Sequence, residues 1–275
     1  MQGRPIDGYE IGYGKNTLLL FASIHGNEMG TADLLNQLVL EIALDKNLVS
    51  KNKKLLIIPV ANPDGYQERL DNLNANGANL NLNFGTSDWQ NYGPEGNYAG
   101  ASPFSEKESQ AIKEIVEKYK PKAIISFHSH GNLISPEKGD VSAALAKWYS
   151  EKTGYAYFDA WDYPGTATKW FVESTGNPAI TVEISKDFQS DWEINKGALL
   201  ELVSSDNWPF EPAKYFLGIF VFKKLLLMQH EPVFRRQVYF SYNETNSKKN
   251  RGTKSSLYAY ERPQVAVHCF QAFLR

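Results

Sequence analysis

The chain has 275 residues, of which 42% are hydrophobic and 22% charged, and these values indicate a globular protein with a sizeable core. Its single cysteine, Cys269, excludes an intramolecular disulfide. The start, MQGRPIDGYEIG, lacks the features of a secretory signal, and the longest apolar stretch, residues 215–222, is too short to span a bilayer. The sequence as written is therefore expected to be cytoplasmic, without a membrane partner.

Charge is distributed unevenly along the chain. Residues 213–275 contain 11 basic and 3 acidic side chains, a net +8, whereas residues 1–212 contain 18 basic and 28 acidic ones, a net −10. We predict a first domain over residues 1–207 and a basic C-terminal extension over residues 208–275. Because KKLLLM, FRRQ and NSKKNRGTK lack the hydrophobic period of packed segments, the extension is interpreted as poorly ordered or non-native. A basic arm for nucleic acid or membrane is the alternative, and no function is assigned to it.

Strand-like and helix-like segments alternate through the first domain, which predicts an α/β fold. The expected strands are residues 16–23, 55–60, 122–127 and 178–184. The expected helices are residues 31–44, a helix that begins at a capping box of Ser105 and Glu108, residues 141–152 and residues 192–203. A turn at residues 62–65 closes the second strand, and a long asparagine-rich loop occupies residues 71–98.

Polar residues lie at or near the carboxyl ends of three of these strands. His25 and Glu28 follow the first, His128 ends the third, and Glu183 lies near the end of the fourth. Open α/β sheets bind ligands at this edge, and two imidazoles with one carboxylate are the ligands of a catalytic zinc site. Glu183, in the apolar run ITVEI, suits a general base. Taken singly, these residues could instead be a chance loop pair, a hydrogen-bonded strand-end histidine and a surface carboxylate.

Several ordered motifs make residues 3–203 resemble the zinc carboxypeptidases of the funnelin (M14) type. The motifs are GRPI, IHGNE, NPDG, NANGANLNLNF, ISFHSHGNLIS and PAITVEIS. The chain is similar in particular to bacterial murein peptide amidases, which cut the bond between γ-D-glutamate and meso-diaminopimelate in cell-wall peptides. The resemblance implies an α/β/α sandwich with a central twisted mixed β-sheet, one Zn²⁺ per chain, and a peptide or small amide substrate, with no nucleic-acid partner. GRPI lies closer to the start than in the family, so the cytoplasmic expectation holds only for the sequence as written.

The resemblance also implies individual roles. His25, Glu28 and His128 would bind the zinc ion, and Glu183 would act as general base and acid. His130 competes with His128 as a ligand, because alternate residues of an extended chain share a face. The family places its ligand first in the His-Ser pair, which favours His128 and leaves His130 to line the substrate pocket.

The chain departs from the family at the substrate clamp. Members that bind a free C-terminal carboxylate have two arginines where this chain has Asn72 and Leu82. A guanidinium fork binds a carboxylate bidentately, and leucine cannot replace it. Asn81 is retained as a hydrogen-bonding residue, Arg69 is a candidate substitute, and Tyr163 is the candidate for the family's mobile phenol.

The sequence therefore predicts zinc-dependent hydrolysis of an amide bond in cell-wall-type peptides by metal-activated water. Two alternatives remain open. One is an N-acyl amino acid deacylase resembling the aspartoacylase and succinylglutamate desuccinylase branch, although that branch also uses arginines for substrate carboxylates. The other is a catalytically weak family member that keeps its metal, and the missing arginine pair is the reason to consider it.

Overall fold

A computed structural model describes residues 2–185, 188–210 and 267–272 of the chain. The strands are β1 (Ile6–Ile11), β2 (Asn16–Ala22), β3 (Lys53–Ile58), β4 (Ala123–Ser129), β5 (Leu133–Pro136), β6 (Ala156–Tyr157), β7 (Ala179–Ile184) and β8 (Val267–Ala272). The helices are α1 (Met29–Leu44), α2 (Pro63–Glu68), α3 (Lys107–Tyr119), α4 (Asp140–Thr153), α5 (Ala167–Thr175) and α6 (Phe188–Ser204).

The strands form one mixed sheet in the order β6-β5-β7-β4-β2-β3-β1-β8. Strands β3, β2, β4 and β7 are parallel neighbours in its centre. Strand β5 runs antiparallel to β7, and β1 runs antiparallel to β3 and β8. The carboxyl ends of β2, β4 and β7 therefore meet at one edge of the sheet, as the sequence predicted for its polar residues.

Apolar side chains cover both faces of the sheet. In β2, Leu18 and Leu20 pack into the core shared with α1, α4 and α6, whereas Leu19 and Phe21 pack into the core shared with α3 and α5. All four are fully buried, and such burial contributes about 1.5–3 kcal/mol per side chain. Because helices cover both faces, the predicted α/β/α sandwich is confirmed.

The predicted turn at residues 62–65 is wrong, because these residues begin helix α2. The Asn62 side chain accepts a hydrogen bond from the backbone N–H of Gly65 at 2.9 Å and caps the helix. Pro63 occupies the first helical turn, where its missing N–H has no consequence. The same residue types favour turns and helix starts, which explains the error.

The predicted capping box of α3 is also wrong. Glu106 is the N-cap residue, and its side chain makes no capping hydrogen bond. The Ser105 hydroxyl donates to the Glu106 carboxylate at 2.9 Å instead of capping the helix. Glu108 nevertheless lies in the first turn, where a negative charge is favourable.

Two described segments fall within the predicted C-terminal extension. Trp208 and Phe210 are buried against the core, and β8 pairs with β1 along six residues of each strand. The three basic segments lie outside the described residues, so the division at residue 207 stays a prediction. In the described part of the chain, no helix combines the length and apolar character needed to cross a membrane.

Candidate active site

The loop after β2 holds His25 and Glu28 close together. Ser23 adopts a left-handed backbone conformation with φ of +46°, and its hydroxyl donates to the Glu28 carbonyl at 3.1 Å. Gly26 lies against α2, since a Cβ there would be only 2.4 Å from the carbonyl oxygen of Gly65. Glycine in IHGNE thus lets the loop fold tightly, and Glu28 becomes the N-cap residue of α1.

Three side chains converge at the carboxyl end of the central strands. Glu28 Oε1 lies 3.1 Å from His25 Nδ1, and Glu28 Oε2 lies 3.1 Å from His128 Nδ1. The two Nδ1 atoms are 3.3 Å apart. One potential ligand atom from each residue lies within 4.8 Å of the others. Glu28 and His128 are buried, whereas His25 is partly buried.

Each imidazole has an oxygen partner on its outer nitrogen. His25 Nε2 lies 3.2 Å from Asn79 Oδ1, and His128 Nε2 lies 3.0 Å from Ser126 Oγ. An amide oxygen only accepts hydrogen bonds, so the proton of neutral His25 is assigned to Nε2 and its Nδ1 lone pair faces the other ligands. Ser126 can hold His128 in the same tautomer. Metal-binding histidines characteristically have such outer partners.

The inner atoms of this group fit a cation. Glu28 Oε2 is buried and accepts no hydrogen bond from the described residues, because its approach to His128 Nδ1 lacks hydrogen-bond geometry. Burial raises the pKa of the Glu28 carboxyl, but positive charge on protonated His128 and His25 outweighs burial and holds that pKa below its usual range, and a bound cation would supply positive charge in place of those protons. An ionised carboxylate and two imidazole lone pairs facing one point match the ligand preference of Zn²⁺.

Glu183 lies beside this group. It is the register partner of His128 across the parallel pair β4 and β7. Burial raises the pKa of Glu183 to about 7, although the positive charge of His128 opposes the increase. The turn after β4 lies directly on Glu183, since a Cβ at Gly131 would be 2.6 Å from the Glu183 Cβ. A carboxyl group with this pKa can both accept and donate a proton near neutral pH.

A cavity of about 280 Å³ opens at His25, His128 and Glu183. Three predicted substrate-binding residues line it, namely Asn72, Asn81 and Tyr163, and so does Leu82. Among the residues that the structure describes, no arginine or lysine lines this cavity. The cavity is therefore close to the metal-site candidates but lacks the guanidinium groups that typify carboxylate recognition.

Arg69 and His130 do not line the cavity. Arg69 is exposed at the C-cap of α2, where its φ of +55° ends the helix. His130 is exposed and has a φ of +88°. This positive φ interrupts the extended backbone, so the alternation that would have placed His130 beside His128 does not apply.

Several residues at the site were not predicted from the sequence. Ser126 lies two residues before His128 in the same strand, so strand periodicity could have indicated it. Asn79 belongs to NANGANLNLNF, but its contact with His25 joins residues 54 positions apart. Glu137 also lines the cavity and follows β5, a strand that the sequence did not predict.

The sequence profile of the family described as zinc carboxypeptidase matches residues 1–151, more than half of the chain. The chain therefore belongs to the zinc carboxypeptidase family, and the resemblance seen in its motifs is confirmed. The zinc carboxypeptidase family is zinc-dependent, and the geometry of His25, Glu28 and His128 agrees with this. The protein is therefore a member of a zinc-dependent class.

Individual relatives share the chain's motifs to different extents. Murein peptide amidase A of Vibrio campbellii (strain ATCC BAA-1116) is 30% identical over 181 residues, which cover 60% of this chain and 68% of that protein. Bacteriocin BCN5 of Clostridium perfringens is 27% identical over 221 residues, which cover 74% of this chain but only 24% of the bacteriocin. The crystal structure of the murein-tripeptide amidase from Escherichia coli O157 matches with a TM-score of 0.56 and 20% identity, covering 70% of this chain and 83% of that one. This structural match supports the fold.

Proposed function

We propose that this protein is a zinc-dependent peptidase that cleaves an amide bond in cell-wall-type peptides, between γ-D-glutamate and meso-diaminopimelate. The observation that carries the proposal is the convergence of His25, Glu28 and His128 beside Glu183 at one cavity. The amidases among its relatives support the substrate class by their names. The peptide would enter the cavity with its scissile carbonyl directed toward the three ligand residues.

Each residue would have a distinct task. His25, Glu28 and His128 would hold one Zn²⁺, which when bound lowers the pKa of a water molecule to about 7 and polarises a carbonyl group. Glu183 would accept the proton of the attacking water as the C–O bond forms. It would then donate that proton to the leaving nitrogen as the C–N bond breaks, so that the carboxylate is regenerated and the products are an acid and an amine.

Neutral polar groups would contact the peptide backbone of the substrate. Asn72 and Asn81 offer amide hydrogen-bond donors, and Tyr163 offers a phenol. The family resemblance leads us to expect guanidinium groups in this part of the site instead. Small N-acyl amino acids depend on carboxylate recognition, which arginine provides best. The cavity therefore favours a peptide held along its length over the deacylase alternative.

Glu183→Gln in the full-length, zinc-loaded protein tests this mechanism. We expect the rate of γ-D-glutamyl-meso-diaminopimelate cleavage to fall by about 10²- to 10⁴-fold, because the amide cannot transfer the proton. The zinc content should stay at the wild-type value. Glu117→Gln, the same chemical change at an exposed site on α3, is the control and should keep wild-type activity.

Two results would contradict the proposal in different ways. Wild-type turnover by the Glu183→Gln variant would exclude Glu183 as the proton carrier. A zinc-loaded wild-type protein without amide cleavage would instead favour the catalytically weak alternative, in which the metal has a structural or peptide-binding role.

A further inference from the structure

Glu137 presents a carboxylate to the cavity that contains Glu183. Its Oε1 atom accepts hydrogen bonds from the hydroxyls of Thr168 at 2.6 Å and Thr166 at 3.3 Å, which fix the side chain. Its other oxygen, Oε2, accepts no hydrogen bond from the described residues and is not among their buried, unsatisfied atoms. Glu137 is thus anchored on one oxygen and has the other available to a ligand.

Lys169, whose positive charge lowers the pKa of Glu137, forms no ion pair with this carboxylate. The Lys169 ammonium forms ion pairs at 2.6 Å with Asp88 and at 2.7 Å with Asp162. Burial raises the pKa of Glu137, while the two threonine hydrogen bonds and the charge of Lys169 oppose this increase. With Lys169 engaged by two aspartates, the open oxygen of Glu137 has no direct cationic partner in the described part of the chain.

The lining of the cavity favours a positively charged ligand group at this point. Glu95 and Glu183 add two more carboxyl groups, whereas no arginine or lysine of the described residues lines the cavity. A substrate that fills the cavity displaces water from Glu137, and an apolar group there would leave the carboxylate unsatisfied. An ammonium group would supply both donors and charge, and such charge-assisted hydrogen bonds are about twice as strong as neutral ones.

We propose that Glu137 is a specificity-determining residue that binds a side-chain ammonium group of the substrate. The inference rests on the proposed function and deepens it by naming the residue that recognises the second amino group of the substrate. The residue beside the cleaved amide would carry a second amino group, as diaminopimelate and lysine do. The Thr166 and Thr168 hydroxyls would keep the Glu137 carboxylate in position for this contact.

A matched pair of peptides tests the proposal with the full-length, zinc-loaded protein. γ-D-Glutamyl-L-norleucinamide lacks only the terminal ammonium group of γ-D-glutamyl-L-lysinamide, and neither peptide has a free C-terminal carboxylate. Wild-type kcat/KM should favour the lysine peptide, and Glu137→Gln should reduce that preference by about 10- to 100-fold, the range expected for a lost charged hydrogen bond. The amide oxygen of glutamine can still accept from both threonines, so the fold should be retained. Glu117→Gln should keep the wild-type preference.

Binding measurements separate this proposal from the proposed function. Calorimetry with zinc-loaded Glu183→Gln and Glu183→Gln/Glu137→Gln should show tighter binding of the lysine peptide only when Glu137 is present. That result without wild-type turnover would uphold the ammonium site and contradict the proposed activity. Turnover of both peptides, with a preference that Glu137→Gln leaves unchanged, would instead uphold the proposed activity and contradict the ammonium site. A wild-type protein that favours the norleucine peptide, or that binds neither peptide preferentially, would overturn the ammonium site whatever the variants do.

Discussion

At the scale of single residues, the orientation of two imidazole rings determines what the site can bind. Asn79 and Ser126 contact the Nε2 atoms of His25 and His128, so both Nδ1 atoms turn toward Glu28. Without a cation, two lone pairs and a carboxylate would face one another at about hydrogen-bond distance. Outer partners of this kind commonly affect metal affinity by about 10- to 100-fold, so Asn79 and Ser126 belong to the site as much as its inner residues.

The two positions at which the family resemblance implies arginines have different surroundings in this chain. Leu82 is buried at 7% exposure and lines the cavity, where it can offer only apolar contact. Asn72 is partly buried and lines the same cavity with an amide. A leucine and a neutral amide cannot form the bidentate bonds of a guanidinium group. The acidic side chains that line the cavity are Glu95, Glu137 and Glu183, and the proposed ammonium contact at Glu137 would be made among them.

The raised pKa of Glu183 predicts a pH-dependent stability of the metal-free protein. Because its pKa of about 7 exceeds the ordinary 4.5, the folded state binds this proton more tightly than the unfolded state. Its stabilising contribution is complete below about pH 4.5 and is lost as pH rises through 7. Between pH 4.5 and 8, wild type should therefore lose up to about 3 kcal/mol of unfolding free energy relative to Glu183→Gln.

Urea denaturation in the presence of a chelator, at pH 5 and at pH 8, measures this difference. Glu117→Gln should follow wild type at both values, because its carboxyl is exposed. An equal stability gap between wild type and Glu183→Gln at the two pH values would show that Glu183 titrates normally in the folded protein.

At the scale of elements, the long asparagine-rich loop forms one side of the cavity. Hydrogen bonds from its asparagine side chains hold the loop in place, as backbone hydrogen bonds do in helices and strands. Asn83 is the clearest case, being fully buried. Its Nδ2 donates to the carbonyls of Ala99 at 2.6 Å and Ser102 at 3.1 Å. Its Oδ1 accepts from the Ser109 hydroxyl at 2.6 Å and the Glu106 backbone N–H at 3.1 Å, which ties the loop to the start of α3.

Asn83→Ala should destabilise the protein by about 2–4 kcal/mol, because several buried partners lose their hydrogen bonds at once. Since Asn81 and Leu82 immediately precede this position and line the cavity, peptide turnover should also fall. Thermal or urea unfolding checks the first effect, with Asn47→Ala at an exposed position as the control. If both variants unfold at the wild-type midpoint, the loop does not depend on Asn83.

At the scale of the whole molecule, the parts that could be predicted are those with a strong local signal. The central strands β2, β3, β4 and β7 lie within about two residues of their predicted positions, because their apolar runs are buried on both faces. Strands β1, β5 and β6 were not predicted, since they are short or partly exposed. Strand β8 lies in a segment whose composition indicated no packed structure.

The residues of the candidate site likewise fall into those that local sequence could predict and those that it could not. His25, Glu28, His128 and Glu183 could be predicted, because each follows or ends an apolar run within a recognisable motif. Glu137 could not be predicted, since its position depends on the pairing of β5 with β7 rather than on local sequence. Local patterns thus identify the residues of the proposed chemistry, while the selection of substrate depends on contacts between distant segments.

The central claim is that His25, Glu28 and His128 form a zinc site, and zinc content measured by elemental mass spectrometry tests it most directly. We would compare the full-length wild type with His128→Ala and with His130→Ala, which removes an exposed histidine two residues away. The site predicts about one zinc per chain in wild type and His130→Ala and loss of zinc in His128→Ala. Folded wild-type protein that binds no zinc, or zinc retained by His128→Ala and lost from His130→Ala, would contradict it.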